Sequence, residues 1–166
     1  MEMPNRSGNW RNYQESIPDD HFYYVRSCIR QTFFPGSEAT LLRILKSELG
    51  KDVLDDPRHT SCSGIGYHSD VVPLQTIMTV VARQFALMSE TGYKNFLVSC
   101  VTSFGIYNEI LHMWEHHPET LEQTRDFLWK ATKREFVIPE HLIHTSDIVY
   151  KFRKEIFSRG KYALVH

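Results

Sequence analysis

Asn95-Phe96-Leu97-Val98-Ser99-Cys100 is a short aromatic and aliphatic run, and its surroundings decide the fold. Six residues are too few for a buried helix and enough for a buried strand. Before it, Ile77, Met78, Val81, Phe85 and Met88 share one stripe of a long helix that Pro73 opens and Gly92 follows. After it, two helices run roughly from Ser103 to Glu115 and from Pro118 to Lys133, parted by Pro118. A strand set between helices on both sides belongs to a βαβ arrangement.

The same alternation extends outward. Phe22-Tyr23-Tyr24-Val25 is aromatic and β-branched, the mark of a buried strand, and it leads into Arg26-Ser27-Cys28. A turn is expected at Phe33-Phe34-Pro35-Gly36, with Ser37 capping a helix that carries Leu41, Leu42, Leu45 and Leu49. Gly50 suits the position just past that helix. Val53-Leu54 reads as a short strand, and a polar loop follows from Asp55 to Asp70. His141-Leu142-Ile143-His144 reads as a fourth strand. Ser146 is placed as the cap of a last helix bearing Ile148, Val149, Phe152 and Ile156. The expected fold is α/β: one Rossmann-like domain with a parallel sheet of about four strands, helices on both faces and right-handed crossovers. That domain spans residues 21–166, after a polar N-terminal arm at 1–20 read as mobile or as a strap for a partner.

Composition narrows the function. Apolar residues make up 42% and charged residues 23% of 166 residues, the balance of one ordinary globular domain. A net charge of -1 gives no basic surface for nucleic acid or an anionic membrane. No apolar run is long enough to span a bilayer, and the start lacks the apolar stretch of a signal peptide. Three widely spaced cysteines argue against a disulfide framework and for a reducing, cytoplasmic compartment.

On the expected sheet those cysteines share an edge. Cys28 follows the first strand, Cys62 lies in the loop after the second, and Cys100 ends the third. In a parallel sheet all carboxyl ends point one way, and sites form there. His59 and His68 flank Cys62, and His144 ends the fourth strand. Thiolates with an imidazole suit zinc or an iron–sulfur cluster. Burial as three small hydrophobes is the plainer alternative. His112, His116 and His117 read as ordinary helix residues. No G-x-S-x-G elbow supports a hydrolase, and Gly64-Ile65-Gly66 is too short for a nucleotide motif.

These residues resemble a family. The B subunit of heterodisulfide reductase and other proteins of the cysteine-rich CCG domain carry a cysteine after a strand, then a Cys-Cys pair, then C-x-x-C after another strand. Cys28 matches the first, Ser61-Cys62 the pair with its first member replaced, and Cys100-Val101-Thr102-Ser103 the last motif with its final cysteine replaced. Phe34-Pro35-Gly36-Ser37-Glu38 is similar to the family's aromatic-Pro-Gly-x-Glu turn, and Ala82-Arg83-Gln84 to its Ala-Arg-Asn. Phe104-Gly105, and Ile143-His144 followed by Ile148-Val149-Tyr150, resemble later landmarks, so the likeness covers roughly residues 20 to 158.

The resemblance implies a redox protein of a multi-subunit complex. In the family, five cysteines hold a non-cubane iron–sulfur cluster that reduces the disulfide between two thiol coenzymes, and two such domains stand in tandem. Here one domain is present, with Cys28, Cys62 and Cys100 kept and Ser61 and Ser103 in place of ligands. A serine hydroxyl stays protonated at neutral pH and is a poor soft-metal ligand. The implied cofactor is therefore an iron–sulfur cluster with an incomplete ligand set, with His59 or His68 placed to complete it. The alternatives are zinc or no metal in a scaffold or ligand-binding subunit. The implied partners are a second copy or other subunits, with a small thiol or disulfide as substrate. Phe33-Phe34 are placed on the interface where a twin domain would pack.

Overall fold

In a computed structural model, residues 10–59, 62–63 and 71–159 are described. The chain runs α1 (Trp10–Ser16), β1 (Phe22–Val25), α2 (Cys28–Phe33), α3 (Pro35–Arg43) with a π-type turn at Ile44–Glu48, then β2 (Val53–Leu54). It continues α4 (Leu74–Ser89), β3 (Asn95–Val98), α5 (Val101–His116), α6 (Pro118–Thr132), β4 (His141–His144), α7 (Thr145–Lys151) and α8 (Arg153–Arg159).

Among the described residues the sheet has four strands in the order β2-β1-β3-β4. Every neighbouring pair is parallel. The register sets Val25 beside Val98 and Val98 beside His144, so three strands stop on one line. Side chains alternate across the sheet. Tyr23, Val25, Phe96 and Val98 enter a core shared with α4, α5 and α6, where Phe85, Tyr107 and Trp114 are buried. Phe22, Tyr24 and Leu97 face the opposite way, into a core with Leu41, Leu45, Ile148 and Phe152. Phe22, Tyr23 and Tyr24 are all fully buried, and each such side chain contributes about 1.5–3 kcal/mol of burial. Strands covered on both faces read as unbroken apolar runs, which is why they are legible in the sequence. The expected α/β architecture holds.

Local boundaries differ from the expectation in four places. The helix expected from Ser37 begins at Pro35, whose fixed φ and missing N–H suit the first helical position. Ser37 lies inside it, its hydroxyl donating to the Phe34 carbonyl at 2.8 Å. The segment after β1 forms the short helix α2, capped by Ser27, whose hydroxyl accepts from the Arg30 N–H at 3.3 Å. The last helix is capped by His144 rather than Ser146, because His144 Nδ1 accepts from the Ser146 N–H and Asp147 accepts from the His144 N–H. It also breaks at Phe152 into α7 and α8. Finally, residues within the polar stretch 1–20 form α1, with Tyr13 and Ile17 buried. Ile17 follows directly on the end of α1, and the Tyr13 hydroxyl donates to Asp147 at 2.8 Å.

Candidate functional site: three thiols on the carboxyl edge

The carboxyl edge is assembled by one buried acid. Glu38, in the first turn of α3, is 5% exposed. It accepts from the Tyr24 hydroxyl at 2.8 Å, from the Ser27 backbone N–H at 3.1 Å and from the Ser99 hydroxyl at 2.6 Å. Tyr24 and Ser27 belong to the β1 end and Ser99 to the β3 end. A buried carboxylate is tolerable only with such partners, and here they fix two strand ends against each other. Arg30 of α2 also reaches the Ser99 hydroxyl, at 3.4 Å.

The cysteines follow directly from those ends. Cys28 is the first residue of α2, Cys100 occupies the N-cap position of α5 without a side-chain cap bond, and Cys62 is among the described residues. The Cys28 and Cys62 sulfurs are 3.2 Å apart, and both residues are exposed. Cys100 is half-buried. Burial pushes its thiol up, but the Ser103 backbone N–H and hydroxyl, the Thr102 N–H and the Ser27 hydroxyl together hold it below its ordinary value. Cys62 and Cys100 both act electrostatically on the buried Tyr107 hydroxyl.

Ser103, 5% exposed, lines a small crevice with Cys28, Cys62 and His59. The crevice encloses about 20 Å³, room for about one water. His59 is 6% exposed and packs against Tyr23 and Phe96, with ring centroids at 5.9 and 6.2 Å. Neither of its ring nitrogens has a hydrogen-bond partner among the described residues. Burial, with the nearby Arg83 charge, pushes its pKa down to about 4, so the ring is neutral near pH 7. His144 stands on the same edge but uses Nδ1 for its cap and lies 5.6 Å from the Phe104 ring. Ser61 and His68 lie outside the described residues, as does Gly64-Ile65-Gly66.

The donors are chemically those that soft metals take: thiolates and a neutral imidazole. Their placement gathers Cys28 and Cys62. Among the described residues no group of three or more His, Cys, Asp or Glu side chains is set to share one ion.

Glu38 and Ser27 were not expected as site residues. Glu38 sat in the Phe34-Pro35-Gly36-Ser37-Glu38 turn, and an acid inside an otherwise apolar turn was the available signal. Ser27 carried no signal beyond its place next to Cys28.

No protein-family model matches the chain. The chain is 34% identical over 92 residues to the B subunit of the Ferredoxin:CoB-CoM heterodisulfide reductase of Methanosarcina acetivorans, a match covering 55% of this chain and 29% of that protein. It therefore spans under a third of that relative. Among solved structures, a hypothetical protein from Helicobacter pylori superposes with a TM-score of 0.61 at 11% identity, over 88% of this chain and 31% of the other. That likeness supports the compact α/β fold and nothing finer. Among the described residues no helix is long and apolar enough to cross a membrane.

Proposed function

We propose that this chain is a redox domain of the kind found in the heterodisulfide reductase B subunit, working at its carboxyl edge within a multi-subunit complex. The observation that carries the reading is the meeting of Cys28 and Cys62 at 3.2 Å, in a chain similar to a heterodisulfide reductase component. Cys28 and Cys62 would supply two ligands, with Cys100 and His59 the nearest further donors. An iron–sulfur cluster held there would carry single electrons. The chain's own part is to keep soft donors at the ends of β1 and β3 through Glu38, and to keep His59 neutral. The reaction class is electron transfer or thiol–disulfide chemistry, with a small thiol or disulfide as substrate.

A second reading keeps the fold as a scaffold or ligand-binding subunit, with zinc or no metal. Ser103 supports it, because it stands in the crevice with Cys28, Cys62 and His59 and brings a protonated hydroxyl where a fifth thiolate would be needed. Phe33 and Phe34, at the end of α2, are 70% and 63% exposed and offer an aromatic face to a partner subunit or a second copy.

The test is anaerobic purification followed by iron, zinc and acid-labile sulfide analysis, on the parent and on a Ser61→Cys/Ser103→Cys variant reconstituted with iron and sulfide. The redox reading expects iron and sulfide on the parent, rising in the variant with a changed visible spectrum. No iron or sulfide on either protein would overturn it. Stoichiometric zinc would favour the scaffold.

A further inference from the structure

We propose that Cys28 and Cys62 form a redox-active dithiol, which closes to an intramolecular disulfide by exchange with a low-molecular-weight disulfide and leaves Cys100 as the free third thiol. The proposal deepens the redox reading of this edge and rests on it for the location of the chemistry, but it needs no metal.

Three observations carry it. The two sulfurs are 3.2 Å apart although 34 residues separate them in the chain. A disulfide bond is about 2.0 Å long, so closure needs a relative movement of only about 1.2 Å. Both residues are exposed, so a small disulfide in solvent reaches either sulfur, whereas buried structural cysteines are inert. Cys100 differs in kind: it is half-buried at the N-cap position of α5, whereas Cys28 and Cys62 are exposed. It is the member of the three least open to a disulfide in solvent.

The step balances as ordinary thiol–disulfide exchange. One thiolate of the pair attacks a sulfur of R–S–S–R. That S–S bond breaks, a protein–S–S–R bond forms, and R–S⁻ leaves and takes a proton. The second thiolate then attacks the protein sulfur of the mixed disulfide. The Cys28–Cys62 bond forms and the second R–S⁻ leaves and takes a proton. The pair loses two electrons and two protons, and the small disulfide gains them as two thiols. Run backwards with a small thiol, the same steps reopen the pair.

The experiment uses the full chain, treated with a chelator and then with glutathione disulfide, followed by alkylation and peptide mapping without reduction. The expected result is a fall from three alkylatable thiols to one, with the peptide bearing Cys28 linked to the peptide bearing Cys62 and Cys100 alkylated. Reduced glutathione in excess should restore all three. In Cys100→Ser the same link should form. In Cys28→Ser, Cys62 should stop at a glutathione adduct. A linked peptide containing Cys100, links only between separate chains, or three thiols untouched by an oxidant that closes a control dithiol would each overturn the proposal, and the parent protein alone suffices to decide it. Metal analysis is independent of this outcome. Absent iron and sulfide would sink the cluster reading and leave the dithiol standing, while untouched thiols would do the reverse.

Discussion

Ser99 donates its hydroxyl to Glu38 at 2.6 Å, which ties the residue just before Cys100 to α3, the helix after the one that Cys28 begins. Through Glu38 the same carboxylate also holds the Ser27 N–H and the Tyr24 hydroxyl. The thiol edge is built on this knot of hydrogen bonds, none of which involves a cysteine.

Removing the knot should therefore loosen both fold and site. Glu38→Ala leaves one buried N–H and two buried hydroxyls without their acceptor. We expect a loss of about 2–4 kcal/mol, read as a lower urea midpoint at unchanged m-value. Glu38→Gln keeps one acceptor oxygen and should lose less. An unchanged midpoint in Glu38→Ala would show that the edge is held by packing alone.

Ser103 is expected to act on Cys100 rather than on a metal. Its hydroxyl and backbone N–H favour the thiolate, so Ser103→Ala should let the thiol rise toward its ordinary value. A smaller thiolate fraction near pH 7 means slower alkylation, by about three- to ten-fold for one lost hydrogen bond to a charged sulfur. Iodoacetamide kinetics at Cys100, in a Cys28→Ser/Cys62→Ser background, would read this. A faster rate in Ser103→Ala would contradict the assignment.

His59 should make the fold sensitive to mild acid. Its pKa falls from 6.5 in the unfolded chain to about 4 when folded. The unfolded form then binds a proton that the folded form refuses. Stability from this group is whole above about pH 6.5 and declines as pH falls from there toward 4, at up to about 1.4 kcal/mol per pH unit. Unfolding free energies measured between pH 7 and 4.5 should show this slope in the parent and a shallower one in His59→Phe. Parallel slopes in the two proteins would refute it.

The exposed aromatics make a separate prediction. Phe33→Ser/Phe34→Ser removes two large side chains that the fold leaves in solvent. Thermal stability should change by no more than about 0.5 kcal/mol, while self-association or capture of a partner subunit, followed by sedimentation, should weaken at least ten-fold. Equal association in parent and variant would place the interface elsewhere.

The strands and long helices were legible because their signals are local. Phe22–Val25 and Phe96–Val98 are buried on both faces, so their apolar runs need no partner to be recognised. The stripe from Ile77 to Met88 is equally self-evident. From that alternation the parallel sheet follows, and with it the placement of Cys28 and Cys100 beyond neighbouring strand ends. Helix starts were less legible. Pro35 starts α3 ahead of Ser37 and His144 takes the cap expected of Ser146, since the backbone path of a few residues decides where a helix begins and which side chain reaches a free N–H.

What tertiary structure alone decided is which side chain meets which. The sequence placed Cys28, Cys62 and Cys100 on one edge, with Ser61 and Ser103 in place of ligands and His59 or His68 nearest to complete the set. Only the folded chain sets Cys62 against Cys28 at 3.2 Å and brings Ser103 into the crevice they line. It alone buries His59 against the stacked rings of Tyr23 and Phe96. Such pairings cross 34 residues of chain in the case of the two sulfurs. They depend on how loops close over a finished sheet, and side-chain periodicity carries no record of that closure.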